Sequence, residues 1–367
     1  MTRSPTVARA AVLGEVGAAP ALRDVQIREP IGDEILVKIH AAGICHTDIS
    51  LAARWPERRM PMVFGHEGAG VVEAVGPAGS MRVGTRVALT FNSCGRCDGC
   101  EGGEPAYCRH STALNMRGDR GVESGSIVDR QGAVNGDFFG QSSFSTHALT
   151  HERNTVPIGD SIDFALAAPL GCSVQTGVGA VLNALRPVPG QSMVVFGAGA
   201  VGLSAVMGAR IAGCRTIVAV DPVAERRSIA VALGATHTVD PLATDVLPML
   251  AEYTKGGADH GVDTTAIPAV LADAITALRP RGQLGIVGLG APTAALPVGL
   301  IMGKGLRIRG VVEGDSVPMT FIPDLIDFHL RGDLPLEKLI TRYDFNEFDK
   351  AWAAAQSGSA VKPVLTF

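Results

Sequence analysis

At 367 residues the chain is longer than one hydrophobic core usually serves, so two domains are expected. It is 46% apolar and 19% charged with a formal net charge of -4, a globular composition whose mixed signs leave no basic footprint for nucleic acid or an anionic membrane. The longest apolar runs, such as residues 192–205, are broken by glycines and fall short of a membrane span. The first eleven residues carry Arg3 and Arg9 but no apolar region followed by a cleavage site, so the start reads as cytosolic.

From residue 8 to residue 40 short alternating runs such as Glu34-Ile-Leu-Val-Lys-Ile-His40, punctuated by Pro20, Pro30 and Gly32, predict antiparallel strands and turns. In Ala42-Gly-Ile-Cys-His-Thr-Asp-Ile-Ser50, Thr47 and Asp48 suit the first turn of a short helix that ends before Trp55-Pro56. Residues 62–72 enter another strand, where Gly65, Gly68, Gly70 and Gly76 allow close backbone approach or sharp bends. Residues 83–89 continue the all-β character.

Four of the seven cysteines, Cys94, Cys97, Cys100 and Cys108, lie within fifteen positions, which in a cytosolic chain favours a metal over disulfides. Four thiolates on short loops satisfy a tetrahedral zinc completely and leave no place for substrate, so this set reads as structural. An iron-sulfur cluster would use such thiolates too, but the spacing lacks the bacterial ferredoxin pattern. Residues 109–137 are polar and glycine-rich and predict a surface excursion with little regular structure. Phe138-Phe-Gly-Gln-Ser-Ser-Phe144 is dense in aromatics for a chain with 5% of them. It is either an ordinary core strand or a set of rings lining an apolar substrate cleft.

Beyond Pro157 two helical stretches, 163–172 and 173–185, lead into strands alternating with helices, the pattern of a parallel sheet covered on both faces. The last part carries an extended segment from residue 307, helices at 317–331 and around 345–355, and a closing strand at 363–367. Gly197-Ala-Gly199-Ala-Val-Gly202 sits between a strand at 193–196 and a helix at 201–211, the context of a dinucleotide fingerprint. Its three glycines serve the tight turn, the approach to a pyrophosphate and helix-strand packing, while the helix start at Ala200 and Val201 offers N-H groups to phosphates. Asp221 ends the strand 216–220, where its carboxylate can accept from ribose hydroxyls and repel a 2'-phosphate, favouring NAD over NADP. Arg226 and Arg227, a helical turn on, weigh the other way, and Asp221 is also a candidate helix N-cap before Pro222. Cys214 fits no ligand pattern and reads as a small buried side chain.

Cys45, His66 and Cys172 can supply two thiolates and one imidazole to a zinc ion, leaving a fourth tetrahedral position open for chemistry. Taken in this order, with the cysteine cluster between and the glycine fingerprint after, the chain resembles the zinc-dependent medium-chain alcohol dehydrogenases along nearly its whole length. That resemblance implies an α/β chain with a GroES-like β-rich catalytic domain at 1–173, completed by 312–367, and a Rossmann domain at 174–311 that binds NAD. It implies that Cys45, His66 and Cys172 hold a catalytic zinc, with the four-cysteine set holding a structural one. Thr47 then matches the hydroxyl that touches the substrate oxygen and begins proton removal, Asp48 the carboxylate that orients His66, and Glu67 an acidic neighbour behind the metal. His46 and Lys362 match basic positions that touch the cofactor pyrophosphate. Ser50 stands where liver-type members carry a histidine at the end of a proton relay, so the relay is expected to run through Ser50, the ribose and water, or by another path.

Within the family, residues 171–183, 139–144 and 309–315 look most like the aryl-alcohol (benzyl alcohol) and terpene alcohol dehydrogenases. Positions matching the family's pocket are Thr90, Ala113, Phe138, Phe139 and Leu289, small and flat enough together for a conjugated primary alcohol. The implied reaction is reversible oxidation of an aryl or allylic alcohol to the aldehyde, with geraniol and perillyl alcohol as allylic alternatives and a homodimer or homotetramer as the assembly. A thiol-adduct formaldehyde dehydrogenase of the same family and a zinc- and NAD-binding sensor without turnover are the competing readings. A zinc-free quinone reductase is disfavoured by the full ligand set.

Overall fold

The alternating run around Glu34 becomes the strand Glu34–Gly43, whose apolar side chains Ile35, Val37 and Ile39 are buried in the computed structural model, which describes residues 4–118 and 126–367. The chain divides into two units, Met1–Cys172 with Val317–Leu330 and Leu339–Phe367, and Ser173–Ser316 with Arg331–Lys338.

The first unit is β-rich. Among the described residues, Glu34–Gly43 is central to a seven-stranded sheet, pairing antiparallel with Gly68–Val75, His147–His151 and the C-terminal strand Lys362–Thr366. A second sheet of five strands contains Thr6–Leu13 and Ala21–Ile27. The core of this unit is aromatic, with Trp55, Phe64, Phe138, Phe144, Phe348 and Trp352 all buried. Because Val364 lies opposite Gly43, the last strand runs beside the segment that leads to Cys45, so the end of the chain builds part of the same neighbourhood.

Two expectations are corrected here. Residues 109–137 are more regular than their composition suggests, for they include the helix Ser111–Asn115 and a hairpin of Ile127–Asp129 with Gly132–Val134 that extends the five-stranded sheet; residues 119–125 lie outside the described residues. Ile127 and Val134 turn inward, and that burial outweighs the polar surroundings. Phe138–Gly140 is a single 3-10 turn, not a strand.

The second unit is a six-stranded parallel sheet in the spatial order His237–Val239, Thr216–Val220, Ser192–Phe196, Ala258–Asp263, Leu278–Ile286, Arg307–Gly310. Numbered along the chain this is 3-2-1-4-5-6, with the order reversing between the first and fourth strands, where a doubly wound sheet leaves its crevice. Met193, Val194, Val195 and Phe196 are all buried, as expected of a strand covered on both faces. The glycine turn follows at once, opening the helix Ala200–Ile211. Gly197 holds φ +88°, a left-handed conformation that disfavours side chains, and a Cβ on Gly202 would overlap the Gly197 carbonyl oxygen.

A Cβ on Gly199, by contrast, meets nothing within 4 Å. Gly202→Ala is therefore expected to cost about 1–3 kcal/mol through overpacking, whereas Gly199→Ala keeps the wild-type thermal midpoint. Differential scanning calorimetry of the two variants side by side checks this contrast, and equal midpoints would contradict it.

Candidate metal centres and glycine turn

The segment 42–50 leaves the strand Glu34–Gly43 and starts the helix His46–Ala52, with Cys45 at its N-cap. Asp48, at the third helical position, accepts the Cys45 main-chain N-H at 2.9 Å and closes the helix start as in a capping box. The same carboxylate accepts from Gly65 N at 3.1 Å and from His66 Nδ1 at 2.9 Å, and Asp48 is wholly buried. One acidic side chain thus ties the segment carrying Cys45 to the segment carrying His66. It also fixes the tautomer, because a carboxylate accepts and so Nδ1 carries the proton while Nε2 faces away.

The side-chain donor atoms of Cys45, His66, Glu67 and Cys172 lie within 4.8 Å of one another, and all four residues are buried. His66 Nε2 has no hydrogen-bond partner, which for a buried ring nitrogen marks a place where a metal belongs. The Cys172 side chain hydrogen-bonds to Cys45 and, with help from Lys362 and against the effect of burial, holds the Cys45 thiol well below its usual range. Burial would lower His66, but the Asp48 charge and hydrogen bond outweigh it and raise the imidazole well above its usual value. The two sulfurs and the unpartnered Nε2 would together hold a divalent cation. Two sulfurs and one imidazole suit zinc.

Glu67 is not a free fourth ligand. Lys362 Nζ donates to Glu67 Oε1 at 3.0 Å, to Oε2 at 2.9 Å and to the Ile44 carbonyl at 3.3 Å, with both side chains buried. Burial pushes the Glu67 carboxyl up and Lys362 pulls it back, while the carboxylate raises the lysine. Its three ammonium hydrogens are engaged inside the protein, and a phosphate would have to compete with Glu67 for them. His46, at the first position of the same helix, is exposed.

The second sulfur set is closed. Cys94, Cys97, Cys100 and Cys108 are free thiols whose sulfur atoms fall within 4.8 Å of one another, with separations of 3.6 Å for Cys97 to Cys100 and 3.9 Å for both Cys94 to Cys100 and Cys97 to Cys108. Sulfurs bound tetrahedrally at about 2.3 Å stand roughly 3.8 Å apart, so these spacings fit zinc. Backbone N-H groups of Cys94, Arg109 and His110 point at the sulfurs at 3.3–3.4 Å. The N-H groups of Cys100 and Arg109 hold the Cys97 thiol down to about 6, whereas burial pushes Cys108 up to about 11.

In the second unit Asp221 Oδ2 accepts from Ala198 N at 2.7 Å and Oδ1 from Val223 N at 2.8 Å. The carboxylate therefore braces the glycine turn from the end of the neighbouring strand. Val223 is the N-cap of the helix Ala224–Leu233, so Asp221 does not cap it. Arg227 donates to the Asp221 carbonyl at 2.7 Å and pairs with Asp240 at 2.9 Å, while Arg226 is half-buried. Thr264, which carried no motif, donates to the Phe196 carbonyl at 2.9 Å and the Gly197 carbonyl at 3.2 Å and shapes the turn from the fourth strand. Burial raises Cys214 to about 11, in keeping with an inert buried thiol.

Thr47 and Ser50 are half-exposed on the helix His46–Ala52. Of the positions matched to a substrate pocket, Thr90 is buried and donates to the Gly171 carbonyl at 2.7 Å, next to Cys172. Phe138 is wholly buried in an aromatic cluster with Trp55, Phe64 and His66, and Phe139 stacks on His66 at 4.6 Å. Ala113 and Leu289 are exposed. Thr90, Phe138 and Phe139 are brought to the metal centre; Ala113 lies on the helix Ser111–Asn115 and Leu289 belongs to the second unit.

Known proteins resemble this chain along nearly its whole length. Residues 32–160 match the family described as "Alcohol dehydrogenase GroES-like domain" and residues 200–330 that described as "Zinc-binding dehydrogenase". A geraniol dehydrogenase of Castellaniella defragrans is 45% identical over 98% of each chain. The crystal structure of a benzyl alcohol dehydrogenase from Acinetobacter calcoaceticus superposes with a TM-score of 0.95 at 38% identity, covering 99% of both chains. A zinc-binding alcohol dehydrogenase domain protein from Burkholderia ambifaria does so with a TM-score of 0.95 at 44% identity, again over 99% of both.

Since the Asp48 carboxylate is the hydrogen-bond partner of His66 Nδ1, Asp48→Asn should weaken metal retention at that centre by about 10–100-fold. Metal analysis after dialysis against graded chelator measures it. The variant is expected to lose one equivalent of zinc early, and retention equal to wild type would refute the role of the carboxylate.

Proposed function

The chain belongs to the zinc-dependent medium-chain alcohol dehydrogenases, and from that premise we propose that it oxidises aryl or allylic primary alcohols to aldehydes, reversibly, with NAD as the hydride acceptor. The observation that carries this reading is the buried set of Cys45, His66 and Cys172, with Glu67 tied to Lys362 so that three protein donors are available and a fourth position stays open. Bound there, zinc supplies a Lewis acid that brings deprotonation of an alcohol hydroxyl within reach of neutral pH.

The chain's own groups handle the proton and the cofactor. Thr47, two positions from Cys45 and half-exposed, is the hydroxyl that takes up the substrate proton. Ser50 lies one helical turn further along the same face, at the spacing that lets the two hydroxyls pass a proton outward. Asp48 keeps the proton on His66 Nδ1 and Nε2 as the donor. In the second unit Gly199 leaves open the space that a Cβ would fill, which suits a pyrophosphate, and Ala200 and Val201 are assigned to it. Asp221, anchored to Ala198 and Val223, is held rigidly and would repel a 2'-phosphate, which favours NAD.

The substrate class is supported by the relatives whose names specify benzyl alcohol and geraniol, an aryl and an allylic primary alcohol. Both give conjugated aldehydes. The higher identity to the geraniol enzyme favours an allylic terpenoid as the second reading. Two or more copies are proposed to assemble, since the strand Arg307–Gly310 lies at the edge of the parallel sheet and Val312 beyond it is 47% exposed.

The test is a screen of benzyl, cinnamyl, geranyl and short aliphatic alcohols, read as NADH absorbance with and without chelator. Aryl or allylic alcohols are expected to exceed ethanol at least tenfold in kcat/KM, with activity lost on chelation; a lead for ethanol would overturn the substrate assignment. Thr47→Ala is expected to lower kcat by about 10²-fold or more, and Ser50→Ala by less. Equal losses in steady-state assays would place Ser50 on the obligatory proton path.

A further inference from the structure

Gln141 carries no motif, yet the residue is 2% exposed and its carboxamide is bonded to main chain around the metal centre. Nε2 donates to the His66 carbonyl at 2.9 Å and to the Thr90 carbonyl at 3.1 Å, and Oε1 accepts from Gly68 N at 3.1 Å. A primary amide has two N-H donors and one carbonyl. All are spent on the peptide groups either side of Glu67 and on the residue that holds the Gly171 carbonyl.

The turn that presents Gln141 is strained. Asp137, Phe139 and Ser142 hold φ of 69°, 52° and 53°, left-handed values unusual for any side chain and more so for phenylalanine. Ser142 Oγ accepts from Phe138 N at 2.9 Å and donates to the Val63 carbonyl at 2.7 Å. Asn154 Nδ2 reaches the carbonyls of Thr90, Phe139 and Gly140, each at 3.2 Å. What the strain achieves is an aromatic clamp. The Phe139 ring lies on the His66 imidazole at 4.6 Å and 26°, and Phe138 meets its edge at 5.6 Å and 80°. With Asp48 on Nδ1, only Nε2 is left open, toward the two sulfurs.

We propose that Gln141 is a positioning residue for the zinc centre, locking the main chain of residues 66–68 and the turn behind it so that Phe139 clamps the imidazole with Nε2 directed at Cys45 and Cys172. The inference rests on the reading of Cys45, His66 and Cys172 as a zinc site.

The test uses zinc-loaded full-length protein and a chromophoric chelator that reports zinc release in time. Cys45→Ser identifies the phase belonging to this centre by its loss. In Gln141→Met, which keeps length and removes the hydrogen bonds, that phase should quicken at least tenfold while the other stays within twofold. Its kcat should fall more than its KM rises, and the visible bands of protein exchanged with cobalt at this centre should shift. Two zincs released at wild-type rates with unmoved cobalt bands would overturn the proposal alone. A wild-type protein whose zinc content Cys45→Ser leaves unchanged would overturn the metal reading and this proposal with it. If Gln141→Met does not fold, Phe139→Leu decides, since it keeps every carboxamide bond and removes the ring: at least threefold faster release supports the clamp, and an unchanged rate sinks it.

Discussion

The whole first unit depends on a cost that a single carboxylate offsets. Bringing two thiols, an imidazole and a carboxylate together away from water is unfavourable unless each polar group finds a partner. Asp48 answers this by bonding the Cys45 N-H, the Gly65 N-H and the His66 ring at once. Without it the segments bearing Cys45 and His66 would still be joined by sheet pairing and by Lys362, which bonds both the Ile44 carbonyl and Glu67, but the Cys45 N-H, the Gly65 N-H and His66 Nδ1 would lose their shared acceptor. The interaction is both a helix cap and the orientation of a ligand, so local secondary structure and site geometry are one arrangement.

Charge balance then decides what the site can do. Glu67 stands within reach of the same donors, and an unengaged carboxylate there would close the coordination sphere. Lys362, delivered by the last strand of the chain, takes both of its oxygens. Removing one partner from such a buried pair leaves an uncompensated charge, which is the costly outcome. The contrast with the cysteine lobe is instructive. There four sulfurs at tetrahedral spacing, with N-H groups aimed at them, fill every position and leave no place for a reacting molecule.

A comparable economy governs the second unit. Asp221 braces the glycine turn by accepting the Ala198 N-H, and Thr264 bonds the two carbonyls that lead into it. The turn is thus held from the strands on both sides, so its N-H groups are oriented before any phosphate arrives.

Some of this was legible in the chain before folding, because the relevant spacing is local. Four cysteines within fifteen positions, glycines at 197, 199 and 202 between a strand and a helix, and strand-helix alternation all report on neighbours in sequence. The open zinc set was legible as residue types in order, though only a fold could bring position 172 to positions 45 and 66. Other features had no local signal. That Lys362 turns inward follows from the register of Val364 opposite Gly43. That Phe139 lies on His66 follows from left-handed backbone held by Gln141, Ser142 and Asn154, and that Ala113 and Leu289 are exposed follows from packing. Composition and period determine which elements form and which chemistries are possible; hydrogen bonds between residues far apart in the chain decide which side chains face the metal, and only tertiary structure contains those.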